Sequence, residues 1–191
     1  MKRLLTLLIT TILLFTAAAP LNGRTIGRLY QSDFALSYGQ VSFPQTVYVM
    51  GEVLGVAFSL GHFAPQNTVF VGQIGLEYTN WVGNNIGVGA FVSADYMTSV
   101  VNGGEQANYT MFVVSLMPTL KASWFNYENV GMYSKIGVGI SDFINESREQ
   151  QIVPAFQVSP ICVDFGWYNF RAFIEIGYGA QGICGGLKFT I

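Results

Sequence analysis

Between positions 112 and 124 the even residues are Phe112, Val114, Leu116, Pro118, Leu120, Ala122 and Trp124, while the odd ones include Ser115, Thr119, Lys121 and Ser123. Side chains alternate across a strand, so such a segment has one apolar and one small-or-polar face. The same period of two governs 34–38, 70–78, 86–96, 132–140, 170–178 and 183–191. An eighth segment, 156–165, changes phase. Phe156 and Val158 share one parity, Ile161, Val163 and Phe165 the other, and the break falls at Ser159-Pro160. A proline inside a sheet belongs at a bulge, which adds one residue and restores the face. Strands of about ten residues are long enough to cross a bilayer when tilted.

The charges decide which face meets what. The polar parity carries Glu77, Asp95, Lys121, Lys135, Asp164, Arg171, Glu175 and Lys188, four acids and four bases. A Lys or Arg facing hydrocarbon costs about 2–4 kcal/mol at the midplane, so these residues belong in the lumen. The expected fold class is all-β, an eight-stranded antiparallel transmembrane β-barrel. A soluble barrel would reverse the polarity. Side chains fill the interior of eight strands, so opposite charges there should pair rather than line a channel. Neighbouring strands would bring together Glu77 with Asp95, Asp95 with Lys121, Lys121 with Lys135, and Glu175 with Lys188 or the neighbours of Arg171; heights along the axis are not set by the sequence, so the exact pairs stay open.

Composition agrees. Charged residues make up 10% of the chain and aromatics 15%, which excludes a disordered polymer. Nine Lys plus Arg in 191 residues leave no basic face for nucleic acid. Lys2 and Arg3, an apolar run from Leu4 to Phe15, and Ala17 to Ala19 form a signal peptide over 1–23. Pro20 hinders cleavage after Ala19, so cleavage is expected after Ala18 or as late as Gly23. The mature barrel, 24–191, then carries seven bases against eleven acids, a net charge of −4.

Connections alternate in length. Short turns are expected at 80–85, 126–129 and 167–169, and long loops at 40–67, 101–108 and 143–153. That is the pattern of outer-membrane barrels, with periplasmic turns and exterior loops. In the first long loop, Ser42-Phe43-Pro44-Gln45 has the form of a capping box. Val47, Met50, Val53, Leu54, Ala57 and Phe58 follow at helical spacing, and Gly61 could end the helix. The spacing predicts an exterior helix over 43–61. The rival is a hairpin over 44–61, which would make the barrel ten-stranded.

The segments Phe156-Gln157-Val158-Ser159-Pro160-Ile161, Arg171-Ala172-Phe173-Ile174-Glu175-Ile176-Gly177-Tyr178-Gly179 and Gln181-Gly182-Ile183 resemble small outer-membrane β-barrel proteins of Bacteroidetes type. Leu116-Met117-Pro118 and Tyr133-Ser134-Lys135-Ile136-Gly137 do so as well. The resemblance implies the outer membrane of a Gram-negative bacterium, lipids and lipopolysaccharide as surroundings, and no defined catalytic activity. It also implies a terminal strand read by the barrel assembly machinery, carried here by Gly186, Phe189 and Ile191, where the family more often ends in an aromatic.

Chemistry finds little to hold. His62 is the only histidine, and nothing near it has ligand spacing, so no metal, cofactor or catalytic residue is expected. A lipid-modifying enzyme using His62, with Ser59 and Glu52 nearby, is the alternative, and a narrow pore is another. Cys162 and Cys184 share the lumenal face but have a strand between them, about 9–10 Å, too far for a disulfide. The expected molecule is a closed, monomeric surface or structural barrel.

Overall fold

The computed structural model of the chain describes residues 31–40, 42, 45–46, 67–100, 108–145, 150–167 and 169–191. The alternating segments become β1 (Ser32–Gln40), β2 (Asn67–Trp81), β3 (Ile86–Val100), β4 (Asn108–Asn126), β5 (Val130–Asn145), β6 (Gln150–Trp167), β7 (Phe170–Gly179) and β8 (Ile183–Thr190). Each pairs antiparallel with the next, and β8 returns to β1, so the sheet closes as a barrel of eight strands. β1 and β2 pair directly from Ser32–Asn80 to Gly39–Gln73, leaving no place between them for a further hairpin. The ten-stranded alternative is therefore wrong.

The polarity is that of a membrane barrel. Leu36, Leu76, Leu116, Ile136, Ile140, Ile174 and Leu187 are about half exposed on the outside, while Gln73, Asp95, Lys121, Lys135 and Glu175 are buried within. In hydrocarbon every backbone N–H and C=O needs an internal partner, and closure of the sheet supplies it. Trp167, Phe170, Phe189, Phe34 and Tyr78 are successive cross-strand partners from β6 round to β2, forming an aromatic row near the turn side. Such rows sit at a membrane interface, where amphipathic and aromatic rings are favoured.

Three bulges interrupt the ladder. Tyr133 pairs with Cys162 and Lys135 with Ser159, so Pro160 and Ile161 together oppose Ser134. This is the phase change seen at Ser159-Pro160. The freed Pro160 carbonyl accepts a bond from Ser134 Oγ (2.7 Å), which in turn accepts one from Trp124 Nε1 (2.9 Å). The β2 bulge lies between Phe70 and Gly72, where Gly72 has φ +100° and the Tyr38 hydroxyl donates to the Val71 carbonyl. At the β4 bulge Ser123 Oγ donates to the Phe125 carbonyl (3.3 Å). Each irregularity thus carries its own hydroxyl donor, which lipid could not replace.

Strand lengths divide the wall in two. β2 to β6 have 15–19 residues, whereas β7, β8 and β1 have 8–10. The extra length lies on the loop side. It corrects the expectation of a loop over 143–153, because β5 continues to Asn145 and β6 begins at Gln150. The signal peptide, most of the 43–61 segment and His62 lie outside the described residues. The capping box is present at its start: Gln45 N–H donates to Ser42 Oγ (3.4 Å) and Ser42 N–H to Gln45 Oε1 (3.2 Å).

Candidate functional site

The lumen holds all eight charges singled out above, and each is 6% exposed or less. Parity placed them on one face; the register sets their heights. Seven of them fall into two groups, and Asp95 stands apart from both.

Near the turn side, Arg171 on β7 and Lys188 on β8 are direct cross-strand partners. Two like charges side by side in a dry interior need a shared counter-charge. Asp164 on β6 provides it. Its Oδ1 lies 2.6 Å from Arg171 Nη1, and its Oδ2 pairs with Lys188 Nζ. Lys188 also approaches Asp33 Oδ2 at 3.8 Å. Asp33 accepts hydrogen bonds from Trp81 Nε1 (2.8 Å) and Thr190 Oγ1 (2.6 Å). Arg171 reaches further, donating to Asn126 Oδ1 (2.8 Å) and to the Tyr127 and Glu128 carbonyls (2.8 and 3.2 Å). The β4–β5 turn is thereby tied into the barrel floor.

The second group repeats the problem. Lys121 on β4 and Lys135 on β5 are direct partners, and two glutamates resolve the repulsion. Glu77 Oε2 lies 3.1 Å from Lys121 Nζ and 3.4 Å from Lys135 Nζ, and Lys135 also pairs with Glu175. Thr119 donates to Glu77 (3.3 Å), and the Tyr133 hydroxyl donates to Glu175 (2.7 Å). Aromatic faces complete the cage, with Lys121 4.8 Å from the Tyr133 ring centre and Lys135 4.9 Å from that of Phe91. Glu77 on β2 reaches Lys121 across β3. There Gly87 stands opposite both Trp81 and Lys121, and a Cβ at Gly87 would come within 3.1 Å of the indole.

The register closes pairings that strand adjacency alone leaves open. Glu175 pairs with Lys135 across the interior rather than with Lys188, which lies one floor below. Lys121 and Lys135 are adjacent as expected, but as repelling neighbours held by acids. Among the described residues Asp95 is held by Ser42 Oγ (2.7 Å) and Gln45 Nε2 (3.0 Å) rather than by Lys121. The capping box thus sits on a buried lumenal carboxylate. Asp33 is a further lumenal acid, outside the alternating segment that starts at Phe34 although it shares the parity of Ala35 and Ser37. A second feature absent from the alternating pattern is the β7–β8 turn, which folds inward. Ala180 packs with Phe91 and Met117, Gln181 N–H donates to Gln157 Oε1 (2.7 Å), and Ser37 Oγ donates to Gln181 Oε1 (3.1 Å).

Of the assembly-signal residues, Gly186 faces inward, where a Cβ would lie 2.7 Å from the Phe173 ring. Phe189 and Ile191 are exposed on the outside. Cys162 and Cys184 are the two cross-strand partners of Glu175, one on each side, both buried and both free thiols. Their small size leaves room for the Glu175 carboxylate and the Tyr133 ring. A dehydrated thiol is unreactive, because the thiolate is the nucleophile. Maleimide is therefore expected to leave both cysteines untouched in the folded barrel and to label both after urea unfolding. Labelling of the folded protein would mean that water reaches the Glu175 level.

What can this arrangement do chemically? The ion-paired side chains are between 0 and 4% exposed, so they brace the wall and exclude water at two levels. Among the described residues, no group of His, Cys, Asp and Glu could hold a metal ion.

The sequence matches no protein-family model and no curated protein. Among solved structures, the chain is similar to the N-terminal β-barrel domain of Pseudomonas aeruginosa OprF, at 9% identity and TM-score 0.48, over 87% of this chain and 100% of that one. It is also similar to Ail, the attachment invasion locus protein of Yersinia pestis, at 13% identity and TM-score 0.44, over 85% of this chain and 99% of that one.

Proposed function

We propose that this chain is a closed, non-conducting outer-membrane barrel of a Gram-negative, Bacteroidetes-type envelope, with a structural or surface-interaction role and no catalytic activity. One observation carries the reading: an apolar exterior surrounds an interior filled by dehydrated ion pairs. An eight-stranded interior filled in this way leaves no continuous water path. The signal peptide over 1–23 supports export. Gly186 and Phe189 on the last strand, with Ile191 just after it, support recognition by the assembly machinery, after which the barrel stands as a monomer among phospholipid and lipopolysaccharide.

Fractionation and planar-bilayer recording of the same preparation test this. The protein is expected in the outer-membrane fraction, resistant to osmotic release, and silent in the bilayer. A soluble periplasmic species would overturn the location, and stable large conductance would overturn the closed lumen.

A further inference from the structure

On the outer surface two cross-strand rows run side by side. The lower is aromatic: Phe170, Phe189, Phe34 and Tyr78, ending at the small Ala90. The upper is aliphatic: Leu187, Leu36, Leu76 and Val92. The rows lie two residues apart along each strand, about 7 Å. Between them is a furrow of about 500 Å³ crossing five strands, lined on its outer surface only by apolar side chains. Phe34 and Tyr78 meet with ring centres 5.0 Å apart and form one bank.

Two residues below that bank, on the same outer face, the chemistry changes. Ser32 and Asn80 are cross-strand partners, Asn80 Nδ2 donates to Ser32 Oγ (3.2 Å), and Ser32 Oγ lies 3.2 Å from the Tyr78 hydroxyl. This polar trio lies on the turn side, beside the chain end at Ile191, whose N–H bonds the Ser32 carbonyl (2.9 Å). An apolar furrow with hydrogen-bonding groups at one edge matches a diacyl lipid, not a protein segment.

We propose that this furrow is a binding site for one acyl chain of a phospholipid in the periplasmic leaflet, with the glycerol–phosphate region held by Ser32, Asn80 and the Tyr78 hydroxyl. The leaflet follows from the turn side facing the periplasm, so the inference rests on the outer-membrane reading above. It goes further in naming the lipid and the contact. Ala90 is the gap that keeps the furrow open. A larger residue there points into lipid, not into the packed lumen, so it fills the furrow without disturbing the interior.

The test is native mass spectrometry of detergent-purified barrel titrated with palmitoyl-oleoyl phosphatidylethanolamine. Wild type is expected to retain one lipid above the detergent background, and Ala90→Phe to retain about tenfold less. Val138→Phe, on the outside of β5, serves as the control and should retain it unchanged. The Ser32→Ala/Asn80→Ala double variant should weaken retention and abolish preference for phospholipid over a headgroup-free diacylglycerol. Heat-shifted gel mobility verifies that each variant is folded. Equal retention by wild type and Ala90→Phe overturns the site. So does an Ala90→Phe effect on lipid A alone, which would put the furrow in the other leaflet, or cross-linking of two copies through this face. These failures are distinct from failure of the outer-membrane reading, which fractionation reports without added lipid.

Discussion

Replacing Asp164 by asparagine is expected to destabilise the barrel by about 3–5 kcal/mol, because it leaves two adjacent buried cations with one distant acid between them. Arg171 and Lys188 are cross-strand partners, and Asp164 is the carboxylate that both engage. Asparagine keeps the size and one acceptor but not the charge. Lys188→Met should be far milder, since Asp164 retains Arg171 and Asp33 retains Trp81 and Thr190. Adding Lys188→Met to Asp164→Asn should restore much of the loss, since it removes one of the two stranded cations. Urea unfolding from lipid vesicles, followed by gel mobility, gives the order. If Asp164→Asn costs no more than Lys188→Met, the floor of the barrel is solvated and the shared-carboxylate account is wrong.

The second expectation concerns the upper group. Glu175→Gln alone should also cost about 3–5 kcal/mol, because Lys135 then keeps only Glu77, which already serves Lys121. Combining it with Lys135→Met should recover part of the loss, a coupling of about 0.5–3 kcal/mol. The pairing of Glu175 with Lys188, expected from strand adjacency, provides the comparison. Here the two sites share only Tyr133, whose hydroxyl donates to Glu175 and whose ring centre lies 5.5 Å from Lys188 Nζ, so Glu175→Gln and Lys188→Met should couple more weakly than Glu175→Gln and Lys135→Met. Strong coupling of Glu175 with Lys188, and none with Lys135, would exchange the two floors of the network.

These pairs show what the amino-acid order does and does not carry. Alternation reports a face, so Phe112 to Trp124 and the lumenal charges were legible one residue at a time. The phase break at Ser159-Pro160 was legible for the same reason, because a bulge must repair parity. Height along the barrel axis is a different quantity. It depends on the stagger between strands, which no single strand encodes, and so Glu175 could be assigned to the lumen but not to Lys135. Asp33 escapes because the apolar alternation starts only at Phe34, two residues after β1 begins. Gln150 and Gln151 looked like a loop because a strand that stands clear of lipid no longer needs an apolar face. The inward Gln181 follows from space left by Gly75, whose own Cβ would lie 2.9 Å from Gln181 Nε2, and such room is invisible in a linear pattern.

The unequal strand lengths have a mechanical consequence. On β6 the outward apolar series runs from Ile152 to Trp167, whereas on β7 it runs only from Phe170 to Tyr178. At about 2.6 Å of height per residue for a strand tilted near 40°, and with the bulge residue of β6 adding no height, the outward apolar series is about 36 Å tall on β6 and about 21 Å on β7. A bilayer of uniform thickness cannot match both. Because mismatch costs a fraction of a kcal/mol per Å, the equilibrium response is to lean the barrel and to thin the lipid beside its low flank. Among the described residues the outward apolar series is thus taller on β6 than on β7, and lipid beside β7 is expected to be thinner than lipid beside β6.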